Sequence, residues 1–290
     1  MSGEFAAASA TPLRPLGAAE ILDNAVRAVR RNARAAFTLS APIAILRAGF
    51  IALIQLGIAN DPHGIAQFGV LGELLVSGIF GTILAGLLAP VFTAELVGRR
   101  LTAGQSLRQV GRFGFGLVAL ALVVAVAQEV GLVVLVVGGV WLWGIWAVSA
   151  PVLVIERTAP VKALSRSFEL VKHEFWRTWG VRTLRWVLTV TLGLFITLPF
   201  SLLASYLSGT DLINVATQGI QDPGVYVTVV AIGNVLSLTI TTPISAAVDT
   251  LLYTDLRMRR EGMDLVLGLP PIAPDARPDI ADGRPAVTAW

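Results

Sequence analysis

The chain has 290 residues, of which 55% are hydrophobic and 14% charged, with a mean hydropathy of +0.74 and a formal net charge of +3. Soluble domains carry about 25% charged residues, so this composition excludes an ordinary soluble enzyme or globular binding module and points to several membrane spans. Cysteine is absent and the histidines are His63 and His173, which excludes disulfides and thiol chemistry and argues against a histidine-rich metal site.

Residues 1–13 have neither the basic start nor the short apolar core of a signal peptide, and they read as a flexible, retained N-terminus. Residues 15–34 form the first candidate interfacial helix: Leu22, Val26, Val29, Ala33 and Phe37 recur at three- or four-residue steps, and Asp23 and Arg27 pair one turn apart. Two apolar runs follow at 36–58 and 70–97, each meeting the length of about 20 residues that a span needs. A shorter amphipathic stretch, LTAGQSLRQVGRFG, places a second interfacial helix at 101–112. Spans three and four are expected at 113–127 and 130–154, separated by Gln128 and Glu129.

The third interfacial helix, 159–184, follows Thr158 and has Pro160 near its start, both suited to a helix N-terminus. Its stripe of Leu164, Phe168, Val171, Phe175 and Trp179 lies opposite Lys162, Arg166, Glu169, Lys172 and His173, so it is expected to dock on the membrane surface or the bundle. Spans five and six occupy 186–207 and 225–254, and the Pro-, Asp- and Ala-rich residues 267–290 read as a disordered cytoplasmic tail.

Charge placement orients these spans. Of the 22 Lys and Arg, all but Arg47 lie before span one, between spans two and three, between four and five, or after span six. The alternate loops, 59–69, 128–129 and 208–224, have none and carry Asp61, Glu129, Asp211 and Asp222. Basic flanks stay in the cytoplasm, so both termini are expected there. The pI of 9.8 is accounted for by these flanks and their contacts with anionic lipid headgroups, and a nucleic-acid partner is not expected.

The three interfacial segments suggest a threefold internal repeat, most clearly because the stripe at Leu22 recurs at Leu164 with the same spacing, 142 residues later. Spans two, four and six share a proline followed by an acid: Pro90 with Glu95, Pro151 with Glu156 and Pro243 with Asp249. The expected fold is an all-α integral membrane protein of six spans and three cytoplasmic amphipathic helices, forming a single membrane domain over 14–266.

Few residues could carry chemistry. Arg47 lies at the centre of span one, where a charge costs about 2.5 to 3.5 kcal/mol and turns towards a partner or a polar cavity. Asp249, the deepest acid, is its expected partner, as a structural ion pair or as part of a ligand site. Glu95 and Glu156 are secondary candidates, able to pair with the adjacent Arg99 and Arg157. Pro42, Pro90, Pro151, Pro199 and Pro243 should free backbone carbonyls for neighbouring hydroxyls to satisfy. Nucleotide loops, zinc motifs and nucleophile elbows are missing, and GRFGFG at Gly111 to Gly116 lacks the strand and helix of a phosphate loop, so neither catalysis nor a metal or cofactor is expected.

Three segments, RPLGAAEILDNAVRAVRRN from Arg14, APVKALSRSFELVKHEFWRTWGV from Ala159 and PISAAVDTLLYTDLRMRREGMDL from Pro243, carry a family likeness. Together they resemble the bacterial multi-span proteins related to the membrane domain of glycerophosphoryl diester phosphodiesterases, in a stand-alone actinobacterial form. The resemblance covers about residues 14 to 266 and implies work near glycerophospholipids, with no catalytic residues to transfer. The bias of 20 Arg to 2 Lys, with many Ala, Val and Gly, fits a GC-rich bacterium, and the expected location is the bacterial plasma membrane. The expected role is a non-catalytic scaffold or accessory subunit in envelope or lipid-related processes, bound to lipids and other membrane proteins. The alternative is a small transporter or lipid translocator with a polar cavity around Arg47 and Asp249.

Overall fold

The computed structural model describes residues 16–60, 66–134, 136–210 and 220–261, and among them every regular element is a helix. The N-terminal segment 1–13 and the tail 267–290 lie outside the described residues. Ten helices follow in order: α1 Ala18–Arg31, α2 Ala33–Asn60, α3 Ala66–Leu96, α4 Ala103–Gly111, α5 Gly114–Val134, α6 Val136–Ile145, α7 Ser149–Ile155, α8 Pro160–Val171, α9 Phe175–Ser208 and α10 Pro223–Glu261. Six stretches are long and apolar enough to cross a membrane: α2, α3, α5, α6 with α7, α9 and α10. The chain is therefore a multi-pass membrane protein by length and composition.

Local chemistry sets the short helices. Glu20 Oε2 accepts from Gly17 N at 2.8 Å at the start of α1, and Arg30 and Arg31 in its last turn face the negative end of the helix dipole. At α4, Thr102 Oγ1 accepts from Gln105 N at 3.3 Å while Gln105 Oε1 accepts from Thr102 N at 2.9 Å, a reciprocal cap. Pro160 opens α8, where its missing N–H costs nothing. Gly209, at φ 67, closes α9 in the left-handed conformation that glycine adopts without strain.

α10 packs against α9, α2, α3 and α1, and α3 in turn holds α4, α5 and α7. The largest buried side chains, including Phe92, Leu88, Leu120, Leu153, Tyr253 and Leu256, cluster towards the end that carries the arginines. The opposite half leaves Leu53, Val137, Phe195 and Tyr206 exposed. So much contiguous apolar surface is unfavourable in water and suits hydrocarbon.

Two expected boundaries are corrected. Gln128 and Glu129 do not separate spans three and four: both lie inside α5, which runs to Val134, and α6 begins at Val136. Gln and Glu are good helix formers and do not break a helix. The hairpin turns where glycines allow the helices to touch, because a Cβ on Gly131 would stand 2.9 Å from Gly139 N. At about 1.5 Å per residue, the 21 residues of α5 reach about 31 Å, enough for the hydrocarbon core.

The third interfacial helix is also shorter than expected. α8 stops at Val171, and Phe175 begins a 34-residue helix that continues through span five. The buried face of α8 is Ala163, Ser167, Leu170 and Val171, rotated from the expected stripe because small residues pack closest to the bundle. Of that stripe, Val171 is buried, Leu164 packs partly on the core, and Phe168 stays 40% exposed beside Trp141. Phe175 and Trp179 close over Gly144, where a Cβ would lie 2.8 Å from Phe175 Cε2. Most of the stripe thus docks on its own bundle.

Serines from neighbouring helices bond to backbone carbonyls near three of the prolines. Pro243 lacks the N–H that would reach Thr239 O, and Ser40 Oγ donates to that carbonyl at 3.1 Å. Near Pro90, Ser106 Oγ donates to Leu87 O at 2.5 Å, and ahead of Pro151, Ser167 Oγ donates to Ile145 O at 2.8 Å. Around Pro151 the helix breaks at 146–148, which divides α6 from α7.

Candidate functional site

Arg47 and Asp249 do not meet. Ser40 bonding to Thr239 O fixes the register of the antiparallel helices α2 and α10. Arg47 then lies seven residues beyond that level in one direction and Asp249 ten in the other, about 25 Å apart along the axis. Their expected ion pair is replaced by two separate clusters.

Arg47 Nη2 donates to Ser77 Oγ at 2.8 Å, and Glu73 on α3 is the acid whose charge reaches it. Gln55 Nε2 donates to Glu73 Oε1 at 3.1 Å. Glu73 was invisible to the sequence reading because one acid inside a long apolar run does not disturb its hydropathy. Arg47 Nε has no hydrogen-bond partner among the described residues.

Asp249 Oδ2 is held by Arg185 Nη1 at 2.8 Å. One turn before Arg185, Arg182 donates from Nη1 to Trp143 O at 2.5 Å and lies 4.5 Å above the Trp143 ring. A cation over an indole face is stabilised by the ring quadrupole. Arg182 and Arg185, which the charge pattern places on a cytoplasmic flank, belong to the same continuous helix α9 as span five. Arg185 stands about 35 Å from Ser208, at the edge of a core about 30 Å thick. Arg182 Nε, Arg185 Nε, Asp249 Oδ1 and Thr178 Oγ1 are buried without a hydrogen-bond partner among the described residues.

The arginine-bearing end, here the basic end, is tied by three carboxylates. Asp255, whose side chain is 0% exposed, accepts from Leu16 N at 2.8 Å, Arg177 Nη1 at 2.6 Å and Arg259 Nε at 3.1 Å. Arg177 and Arg259 also donate to Leu16 O, at 2.5 Å and 3.2 Å, so this one acid joins the start of α1 to α9 and α10. Glu156 pairs with Arg166 at 3.2 Å, not with Arg157, and accepts from Tyr253 Oη at 3.0 Å. Arg166 bridges onwards to Glu261; burial lowers its pKa, but Glu261 and Glu156 outweigh that and hold it above the ordinary guanidinium value. Glu95 accepts from Asn32 Nδ2 at 2.5 Å and lies 3.9 Å from Arg31, instead of pairing with Arg99.

Other arginines there are open. A groove of about 570 Å³ between α3, α4 and α7 is lined by Arg99, Arg108, Arg112 and Arg157 over a floor that includes Ala94, Val97, Phe113 and Ile155. A second groove, lined by Arg30, Arg31, Arg34 and Arg100, adjoins it at Leu101. No acid lines either groove. The sequence reading placed these arginines as topology signals, and nothing in their spacing marks them as convergent.

Comparison of the chain with protein-family models, with curated proteins and with solved structures gives no match.

Proposed function

We propose that the protein is a non-catalytic component of a bacterial plasma membrane, with its termini and basic end in the cytoplasm, serving as a scaffold or accessory subunit in envelope or lipid-related processes. The observation that carries this reading is the division of labour at the basic end. The buried Asp255 and the partly buried Glu156 and Glu95 are all engaged in holding helices together, whereas many arginines line two open grooves. Such a surface suits anionic headgroups and protein partners. The resemblance to membrane domains of glycerophosphoryl diester phosphodiesterases points the same way.

In this reading α1 to α3, α4 to α7 and α8 to α10 are three copies of one unit. Supporting it, Ala25, Ser106 and Ser167 are buried, as are Val29, Val110 and Val171 four residues later. Long helices then begin at Ala33, Gly114 and Phe175, again four residues on. The short helices α1, α4 and α8 lie along the cytoplasmic surface.

The transporter alternative draws on the unpartnered polar atoms around Arg182, Arg185 and Asp249. Native mass spectrometry of protein gently extracted from its own membrane separates the readings when wild type is compared with Arg47→Ala and Asp249→Ala. The scaffold reading expects stoichiometric protein partners retained in all three. A stoichiometric solute present in wild type and lost in a folded variant would replace it with the transporter.

A further inference from the structure

We infer that the groove between α3, α4 and α7 seats the headgroup of a membrane lipid bearing more than one negative charge, with its phosphate held by Arg99, Arg108, Arg112 and Arg157. This inference rests on the reading that the basic end meets an anionic leaflet, and it names the ligand class of one site there. Three independent observations carry it.

The first is uncompensated charge. Four arginines line one cavity with no acid in its lining, and none has an ion pair or side-chain hydrogen bond among the described residues. Elsewhere at this end, Arg166, Arg177, Arg257 and Arg259 are each paired. Planar, fork-shaped donors match phosphate oxygens, and gathering four of them is repulsive until an anion arrives.

The second is backbone strain. Arg157 is at φ 53, the one non-glycine residue with positive φ among the described residues. A side chain in that conformation carries strain that glycine would avoid. This left-handed residue closes α7, with Thr158 N donating to Leu153 O at 3.2 Å, and an arginine that lines the groove stands there where glycine is usual.

The third is what lies beneath the arginines. The floor is apolar and formed by the ends of two membrane-spanning helices, so the cavity straddles the boundary between hydrocarbon and water. Phe115, 91% exposed, follows two residues after Phe113 of that floor, in the first turn of α5. A free phosphate would leave the floor unused, whereas a lipid places its phosphate at the arginines and its glycerol and first methylenes on the floor. Basic pockets of this kind at the cytoplasmic side are suited to doubly charged headgroups.

The test is native mass spectrometry of the full chain released from phosphatidylcholine nanodiscs doped with cardiolipin, which carries two phosphates. Arg99→Gln with Arg108→Gln and Arg112→Gln should weaken cardiolipin retention about a hundredfold through lost charge-assisted hydrogen bonds. Arg27→Gln with Lys162→Gln and Lys172→Gln removes the same charge outside the groove and should change retention by no more than about threefold. Arg157→Gly should also weaken retention while melting no lower than wild type, because it relieves the positive φ; it keeps the test valid if the triple variant fails to fold. Equal losses in groove and control variants would show diffuse electrostatics and overturn the proposal. So would undiminished retention in the groove variants, or displacement of the lipid by millimolar inorganic phosphate, which would identify a soluble occupant. Loss of protein partners in the earlier experiment, with cardiolipin retention intact, would count against the scaffold and not against this site.

Discussion

Asp255→Ala should destabilise the protein by about 3 to 5 kcal/mol, the cost of removing one partner from a buried ion pair. The carboxylate is fully enclosed and accepts from Arg177, Arg259 and the backbone of Leu16. Without it, two guanidinium groups are left side by side, and Leu16 N loses its acceptor. The start of α1 would detach from α9 and α10, taking with it the buried Ile21, Ala25 and Ala28. Asp255→Asn keeps an acceptor of nearly the same shape and should lose less. Thermal unfolding in mild detergent, followed by tryptophan fluorescence, measures both. A loss under about 1 kcal/mol for Asp255→Ala would place the pair among weak surface interactions and contradict its role as a hub.

Gly139→Val should open the hairpin of spans three and four at a cost of about 3 kcal/mol or more, at or beyond the upper end for overpacking. Even an alanine Cβ at this position would sit 2.7 Å from Leu132 N, 2.9 Å from Leu132 Cα and 3.0 Å from Gln128 O. All three are backbone atoms of a helix and cannot rotate away. The helices must separate along their length, and α6 carries Trp141 and Trp143, so the contacts with Phe168 and Arg182 would be lost as well. Gly104→Ala is the control, since a Cβ there meets nothing within 4 Å. The same fluorescence melt should show Gly104→Ala unchanged or slightly stabilised through helix propensity. If Gly139→Val melts like wild type, the two helices do not pack as described.

How far the sequence speaks for the structure differs by element. Long apolar runs need no partner to declare themselves, so spans such as 70–97 and 225–254 were placed close to α3 and α10. Polar residues were weaker guides. Gln128 and Glu129 suggested a loop, but the turn is set by Gly131 and Gly139 approaching across the hairpin, a distance no local pattern records. The stripe through Phe168 was counted from large side chains, whereas α8 buries Ala163 and Ser167, which a hydrophobic count overlooks.

Charge pairing was the least legible. Arg47 and Asp249 were matched as the two deepest opposite charges, but register decides contact, and Ser40 with Thr239 sets that register. Asp255 has Arg259 one turn on as a local partner, but its bond to Leu16, 239 residues away, exists only in the folded bundle. The groove arginines are brought together in the same way from the turn after α3, from α4 and its C-cap, and from the turn after α7. Of the expected proline-freed carbonyls, the one ahead of Pro243, Thr239 O, has a hydroxyl donor in Ser40.

The absence of cysteine makes the decisive measurement simple: single cysteines at Gly104, on the basic end, and at Gly224, at the start of α10 on the opposite end, labelled with a membrane-impermeant maleimide. Both positions are exposed and accept a side chain without a clash. The account expects Gly224→Cys to react in intact spheroplasts and Gly104→Cys to react only after the membrane is opened. Labelling of Gly104→Cys from outside, with Gly224→Cys protected, would put the arginine grooves on the wrong side of the membrane and contradict the cytoplasmic, lipid-facing role proposed for them.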